Sequence, residues 1–362
     1  MTYSYQTTIY SKRICLLTLS DNPDHQEVVY SLWRELYDRG ADVYSVGIES
    51  PSTPYAESTE RNICIKCPSR PGVTLATLNI FRLEKAIRAV ASIRPDILYI
   101  ETVHSWNLPI SLRMRRHTAI YQVVHDVDPH DGSSLVRIAN SLCAKAADYV
   151  VLRNRKDMAS ASEKLGVESG KIRSLDSWRS FPEYCANTSS GEFLFFGRLR
   201  KYKGLSSMLR IAASLPDIRF RVMGKADAES QPIVESLREL ANVEVTEGFV
   251  RADEMARAFR ESDWVLVPYE SASQSGIIMD AYRFSRPVIS FDVGAISEQV
   301  VDGSTGFLVP PGDIDGFVAT VNKAATFSAQ TKERFSKAAY EFGIEKYGAQ
   351  GAAKRFLRML EM

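Results

Sequence analysis

No stretch of this chain approaches the roughly 20 consecutive apolar residues that a membrane-spanning helix needs. The opening "MTYSYQTTIYSKR" has no apolar core of signal-peptide length. Neither a spanning helix nor an export signal is therefore expected. Cysteine is sparse: five, an odd number scattered through 362 residues, do not make a disulfide framework and fit a reducing compartment. An excess of charge of one sign is lacking as well. The 45 basic and 44 acidic residues nearly cancel, so the strong positive field of a nucleic-acid binder is absent. These absences point to a cytoplasmic protein without a nucleic-acid partner, and they leave peripheral contact with the cytoplasmic face of a membrane open.

What is present suits two domains of roughly 150 to 200 residues, with 45% hydrophobic residues to fill both cores. Short β-rich runs alternate with helical patterns, the signature of parallel sheets covered by helices. In the first half the strands read as "RICLLTL" at 13, "DVYSVGI" at 42, "NICIKC" at 62, "DILYIE" at 96, "AIYQVVHD" at 119 and "DYVVLRN" at 148. Their near-continuous apolar character indicates burial on both faces. Between the first two, Val29, Leu32, Trp33, Leu36 and Tyr37 recur at helical spacing and Gly40 is placed to end the helix. Around "SFPEYCANTSSGE", residues 180 to 192, periodicity lapses in favour of Pro, Asn, Ser and Gly, which marks a linker. A second winding follows, with strands at 193, 219, 243, 264 and 287, and a helix from Gly204 carrying Leu205, Met208, Leu209, Ala212 and Leu215 on one face. Two such halves facing each other would leave a cleft at the carboxyl ends of their strands, where doubly wound sheets bind ligands.

Four stretches invite a chemical reading. "GRLRKYKGL", residues 197 to 205, leaves a strand and opens a helix; Arg198 and Lys203 could bring two cations to a diphosphate, or the segment is a solvated basic turn. "YESASQSGIIMD", residues 269 to 280, has the same architecture, with amides at Ser275, Gly276 and Ile277 for phosphate and Asp280 one turn in for a ribose diol; the alternative is a polar loop with one solvated acid. "VVHDVDPHDG" ends a strand with His125 and Asp126 at its carboxyl end, where a histidine can donate to or orient a substrate oxygen. His130 and the nearby aspartates resemble metal ligands but match no ordered motif. "CIKC", Cys64 to Cys67, has redox or zinc spacing but sits inside a strand without a second pair, so an incidental strand is the better reading. His25 and His104 fall in loops on the cleft side and are given no role.

Taken together, "FFGRLRKYKGL", "VMGKADAE", "NVEVTEGFV", "VLVPYESASQSGIIMDAYRFSRPVISFDVGAISEQVVDGSTGFLVPPGD" and "HDVDPH" resemble the retaining, nucleotide-sugar-dependent glycosyltransferases of family 4, which have the GT-B fold. The agreement in order and spacing covers most of residues 190 to 315. The "SQSG" loop is similar to related transferases of bacterial surface-polysaccharide pathways. The resemblance implies an α/β fold of two facing Rossmann-like domains: an acceptor domain over 1–183, a nucleotide-sugar donor domain over 184–335, and helices over 336–362 crossing back to the first. It implies donor contacts from Arg198, Lys203, Gly224, Glu270, Gln274, Ser275, Gly276, Ile277 and Asp280, catalytic roles for His125 and Asp126, and no essential metal or cofactor, the nucleotide-sugar being a substrate. The family commonly has two glutamates separated by seven residues. Here the second position is Asp280, the first is Ala272, and Glu270 stands two residues earlier. The loop "LSDNPDHQE" lacks the family's usual glycine pair. The expected function is sugar transfer from a UDP- or GDP-sugar to a hydroxyl on a sugar, a lipid-linked glycan or a small molecule. Its rivals are a nucleotide-sugar epimerase of the same fold and a non-catalytic partner subunit.

Overall fold

The computed structural model describes residues 11–49, 59–68, 74–127, 134–187, 189–272 and 274–362. The chain divides into two compact units: one is the chain up to Ser180 together with Ala349–Met362, the other is Phe181–Gly348.

The first unit is built on a seven-stranded parallel sheet. Its strands are β1 (Ile14–Leu17), β2 (Val43–Ile48), β3 (Asn62–Ile65), β4 (Ile97–Ile100), β5 (Ala119–Val124), β6 (Tyr149–Leu152) and β7 (Ile172–Ser174), in the order β3-β2-β1-β4-β5-β6-β7. β1 and β4 at the centre are wholly buried, which is why they read as unbroken apolar runs. The first helix, Pro23–Asp38, starts where the Asn22 side chain accepts from the Asp24 N–H with proline in the first turn. It buries Val29, Leu32 and Leu36 against the sheet, leaves Tyr37 exposed, and is followed by Gly40 at φ +81°. The last helix, Ala349–Glu361, belongs to this unit, and its Phe356 stacks edge-on against Tyr99 of β4. The returning segment is thus Ala349–Met362, shorter than 336–362, because the preceding helix, Ala329–Tyr347, stays in the second unit against the helix Gly276–Arg283.

The second unit has a six-stranded parallel sheet of β8 (Glu192–Phe196), β9 (Arg219–Gly224), β10 (Val243–Glu247), β11 (Trp264–Val267), β12 (Val288–Phe291) and β13 (Gly306–Val309), in the order β10-β9-β8-β11-β12-β13. The helix Leu205–Ser214 buries Leu205, Met208, Ile211 and Ala212. Both sheets have the strand order of doubly wound Rossmann-like folds, reversing beside β1 and beside β8. Two strands lie outside the set predicted from apolar runs, β7 and β13, and each is an edge strand of three or four residues.

Candidate functional site

In the second unit, β8 and β9 end side by side on glycines. Gly197 and Gly224 have φ of +126° and +146°, and a Cβ on Gly224 would stand 1.7 Å from the Gly197 carbonyl oxygen. Only glycine lets the strand ends approach so closely. The turn that follows carries four cations at Arg198, Arg200, Lys201 and Lys203. Arg200 is paired with Asp227 at 2.7 Å and Lys201 with Glu229 at 3.5 Å. Arg198, exposed, and Lys203, half-buried, have no carboxylate partner among the described residues. Lys203 Nζ instead lies 4.0 Å from the centroid of the buried Tyr269 ring. The turn closes on Gly204, where φ is +77° and a Cβ would meet the Pro268 carbonyl oxygen at 1.6 Å. That approach lets the Glu270 N–H donate to the Tyr202 carbonyl at 2.9 Å. The basic turn and the segment after β11 are therefore fixed to each other.

The helix Gly276–Arg283 begins beside the same turn: a Cβ on Gly197 would touch Ile277 Cδ1 at 3.4 Å. Of the three amides expected to face phosphate, one is already used. The Ser275 N–H donates to Gln299 Oε1 at 2.7 Å, and Gln299 Nε2 donates back to the Ser275 carbonyl at 3.1 Å. Ser275 is fully buried, with its Oγ 3.4 Å from Tyr269 Oη. It anchors the helix start, and Gly276 and Ile277 remain as the outward first-turn amides. Tyr282 ties the helix to the same partner, donating to the Gln299 carbonyl at 3.1 Å and meeting Thr305 Oγ1 at 2.8 Å. Asp280 is buried one turn in, 3.7 Å from Arg283. Glu270 is exposed and Gln274 half-buried, while Ser273 between them lies outside the described residues.

In the first unit, β4, β5 and β6 are followed directly by Glu101, His125 and Arg153. Arg153 Nη2 hydrogen-bonds both carboxylate oxygens of the buried Glu101, Nη1 donates to the Leu175 carbonyl at 3.1 Å, and the guanidinium lies 5.0 Å from the Trp178 ring. His125 Nε2 is 2.8 Å from the Glu101 carbonyl oxygen. Its side chain is 26% exposed. Burial, and then the Arg153 charge, push the His125 pKa down to about 4. The ring is thus neutral near pH 7. A carbonyl only accepts, so Nε2 holds the proton and Nδ1 is left as an acceptor. With the Glu101 carbonyl taking the Nε2 proton, Nδ1 is the ring nitrogen left for a further partner. Asp126 is half-buried, and its carbonyl accepts from Asn140 Nδ2 at 3.1 Å. His130, Asp128 and Asp131 lie outside the described residues.

His25 is not in a loop: it sits in the first turn of the helix Pro23–Asp38, its ring 5.0 Å from that of His125 and its Nδ1 3.0 Å from Ser20 Oγ. Burial and then His125 push its pKa down to about 4. His104 is a buried loop residue whose Nδ1 accepts from the Trp106 N–H at 3.1 Å, a structural role. Cys64, within β3, and Cys67 are both reduced. Among the described residues no three His, Cys, Asp or Glu side chains form a group that could hold a metal ion. Glu101, Arg153 and Gln299 went unnoticed in the sequence, although Glu101 and Arg153 were visible as charged residues at the ends of apolar runs.

Residues 190–326 match the family described as Glycosyl transferases group 1. A D-inositol 3-phosphate glycosyltransferase of Mycobacterium sp. (strain KMS) is 29% identical over 146 residues, 39% of this chain and 33% of the relative. The sulfoquinovosyl transferase SQD2 of Arabidopsis thaliana is 27% identical over 307 residues, 75% of this chain and 57% of the relative. The chain therefore spans between a third and somewhat over half the length of these relatives. Among solved structures, Anabaena HepE in complex with UDP and glucose superposes with a TM-score of 0.73 at 15% identity, covering 96% of this chain and 99% of that one. Sucrose-phosphate synthase from Thermosynechococcus elongatus does so with the same TM-score and identity, over 96% of this chain and 98% of that one. The chain thus has the GT-B fold of two Rossmann-like units, and its residues 190–326 carry the match to the group 1 glycosyl transferases.

Proposed function

We propose that the protein is a retaining glycosyltransferase that moves a hexose or related sugar from a nucleoside-diphosphate sugar to a hydroxyl acceptor in glycan biosynthesis. The observation that carries this reading is the pair of uncompensated cations. In a turn whose other two cations are each matched to a carboxylate, Arg198 and Lys203 are left over, and the start of that turn, Gly197, lies against Ile277 in the first turn of the helix Gly276–Arg283. A diphosphate supplies the missing charge, and these groups stabilise it as it departs. Because side chains provide the positive charge, the transfer needs no metal. UDP is the preferred nucleotide, a choice supported by the HepE complexes with UDP and UDP-glucose.

Asp280 takes the ribose hydroxyls, and Gly224 leaves room at the end of β9 for the donor. Glu270 and Gln274 are offered to the donor sugar. In the first unit, His125 is offered to orient a substrate oxygen, and Asp126 stands next to it. The site of action is the cytoplasm.

The reading is tested by thermal denaturation with UDP, GDP, ADP and their common sugars, because a ligand bound only by the folded state raises its apparent stability. The expected result is stabilisation by UDP and a UDP-sugar, followed by EDTA-insensitive transfer or slow donor hydrolysis. No shift with any nucleotide contradicts the reading, tight binding without turnover supports a non-catalytic subunit, and release of a free 2-epimer supports an epimerase.

A further inference from the structure

On the first unit the turn 74–79 and the start of the helix Ile80–Ile93 display four large apolar side chains. Leu75, Leu78, Ile80 and Phe81 are 62 to 92% exposed. Their backbone is firmly built: the Thr74 N–H donates to Thr77 Oγ1 at 2.7 Å, Asn79 caps the helix, and the Trp106 indole N–H donates to the Thr77 carbonyl at 2.7 Å. An anchored turn that presents this much apolar surface to water marks an interaction site.

The charge around it selects the partner. The helix Asn107–Met114 packs on Ile80–Ile93, and together the stretches 80–93 and 107–116 hold six cations and one anion, in a chain that balances 45 against 44. The single anion, Glu84, is taken by Arg88 at 3.0 Å. Arg82, Lys85, Arg113, Arg115 and Arg116 are exposed, with no ion pair among the described residues. No described helix is long and apolar enough to cross a membrane. Apolar side chains on a fixed turn, bordered by long cationic ones, fit the interface of an anionic bilayer: the former enter the acyl boundary while the latter meet the headgroups.

We propose that this face, Leu75, Leu78, Ile80 and Phe81 with the cations of the two adjoining helices, docks the protein on an anionic lipid surface. Thr77 is bonded to Trp106, five residues beyond the Glu101 end of β4, so the docking turn lies toward the carboxyl edge of the sheet that carries His125. The surface does not depend on the transfer reading, and its test uses no substrate.

Full-length protein is sedimented with phosphatidylcholine vesicles and with vesicles containing phosphatidylglycerol. It is expected to bind the anionic vesicles preferentially and to be released by salt. Leu78→Ser with Phe81→Ser should weaken binding at least about tenfold. Arg113→Glu with Arg115→Glu should weaken it while removing most of the salt dependence. Both pairs are exposed, and unchanged unfolding midpoints show that the fold is intact. In a Phe81→Trp variant, the new indole emission should shift to the blue on anionic vesicles. Absence of vesicle binding at low salt, equal binding by the Ser variant, or a wild-type dimer that the Ser variant converts to monomer would each overturn the proposal, the last by making the face a contact between two copies.

Discussion

Gln299 holds the Ser275 backbone on both sides of its Cα, accepting from its N–H at 2.7 Å and donating to its carbonyl at 3.1 Å. The clamp fixes the residue from which the helix Gly276–Arg283 departs, and with it the direction of the Gly276 and Ile277 amides. Gln299→Leu strands two buried polar groups, so it should destabilise the second unit by about 1 to 3 kcal/mol for each. It should also weaken UDP binding. Gln299→Glu keeps the acceptor for the Ser275 N–H and should fall between wild type and Leu. Urea unfolding and calorimetric titration read both effects; unchanged UDP affinity in the Leu variant would separate the clamp from phosphate binding.

Glu101 and Arg153 form a buried pair at the ends of β4 and β6. Removing one partner leaves a buried charge alone, which costs about 3 to 5 kcal/mol, whereas replacing both with apolar residues of similar size costs much less. Arg153→Met should therefore be far less stable in denaturant than Arg153→Met with Glu101→Leu. Equal loss in the single and double variants would show that the pair is not coupled.

The two histidines give a pH signature. With folded pKa values of about 4 against 6.5 for the free side chain, the unfolded chain binds more protons between those limits. Their contribution is complete above about pH 6.5 and is lost as the pH falls toward 4, with a slope of at most about 1.4 kcal/mol per pH unit for one histidine. Denaturation from pH 7.5 to 4.5 should show a steeper fall for wild type than for His125→Asn. Parallel profiles would mean that His125 keeps an ordinary pKa.

The two acids near the helix start differ in burial, and the proposed function gives them different roles. Asp280 is buried at a fixed place one turn behind the Gly276 and Ile277 amides, whereas Glu270 is exposed before the loop. Asp280→Asn should cost UDP binding about 1 to 3 kcal/mol through the lost ribose acceptor. Glu270→Gln should leave free UDP nearly unchanged and act only when a sugar is attached. The reverse pattern in calorimetry would exchange the assignments.

The legible parts of this chain were those governed by local pattern. Central parallel strands such as Ile14–Leu17 and Ile97–Ile100 are buried on both faces and so announce themselves as apolar runs. The edge strands Ile172–Ser174 and Gly306–Val309 are too short to do so. Arg198 and Lys203 could be picked out as cations, but their lack of carboxylate partners follows from Asp227 and Glu229, some 27 and 28 residues away from Arg200 and Lys201, taking the other two. The hydrogen bond of the Ser275 amide is not legible for the same reason: its partner, Gln299, lies 24 residues further on. Likewise the helical place of His25 was obscured by the polar stretch "SDNPDHQE", which reads as a loop until the Asn22 cap and Pro23 are recognised as a helix start.

The central claim is that Arg198 and Lys203 are held without carboxylate partners in order to receive a diphosphate, and calorimetric titration of UDP and uridine into wild type, Arg198→Ala and Lys203→Ala tests it most directly. Charge-assisted hydrogen bonds of this kind are worth about 1.5 to 3 kcal/mol, so each variant should lose at least about tenfold in affinity for UDP. Uridine carries no phosphate and should bind all three proteins alike. Equal losses for UDP and uridine, or no loss for UDP, would contradict the account.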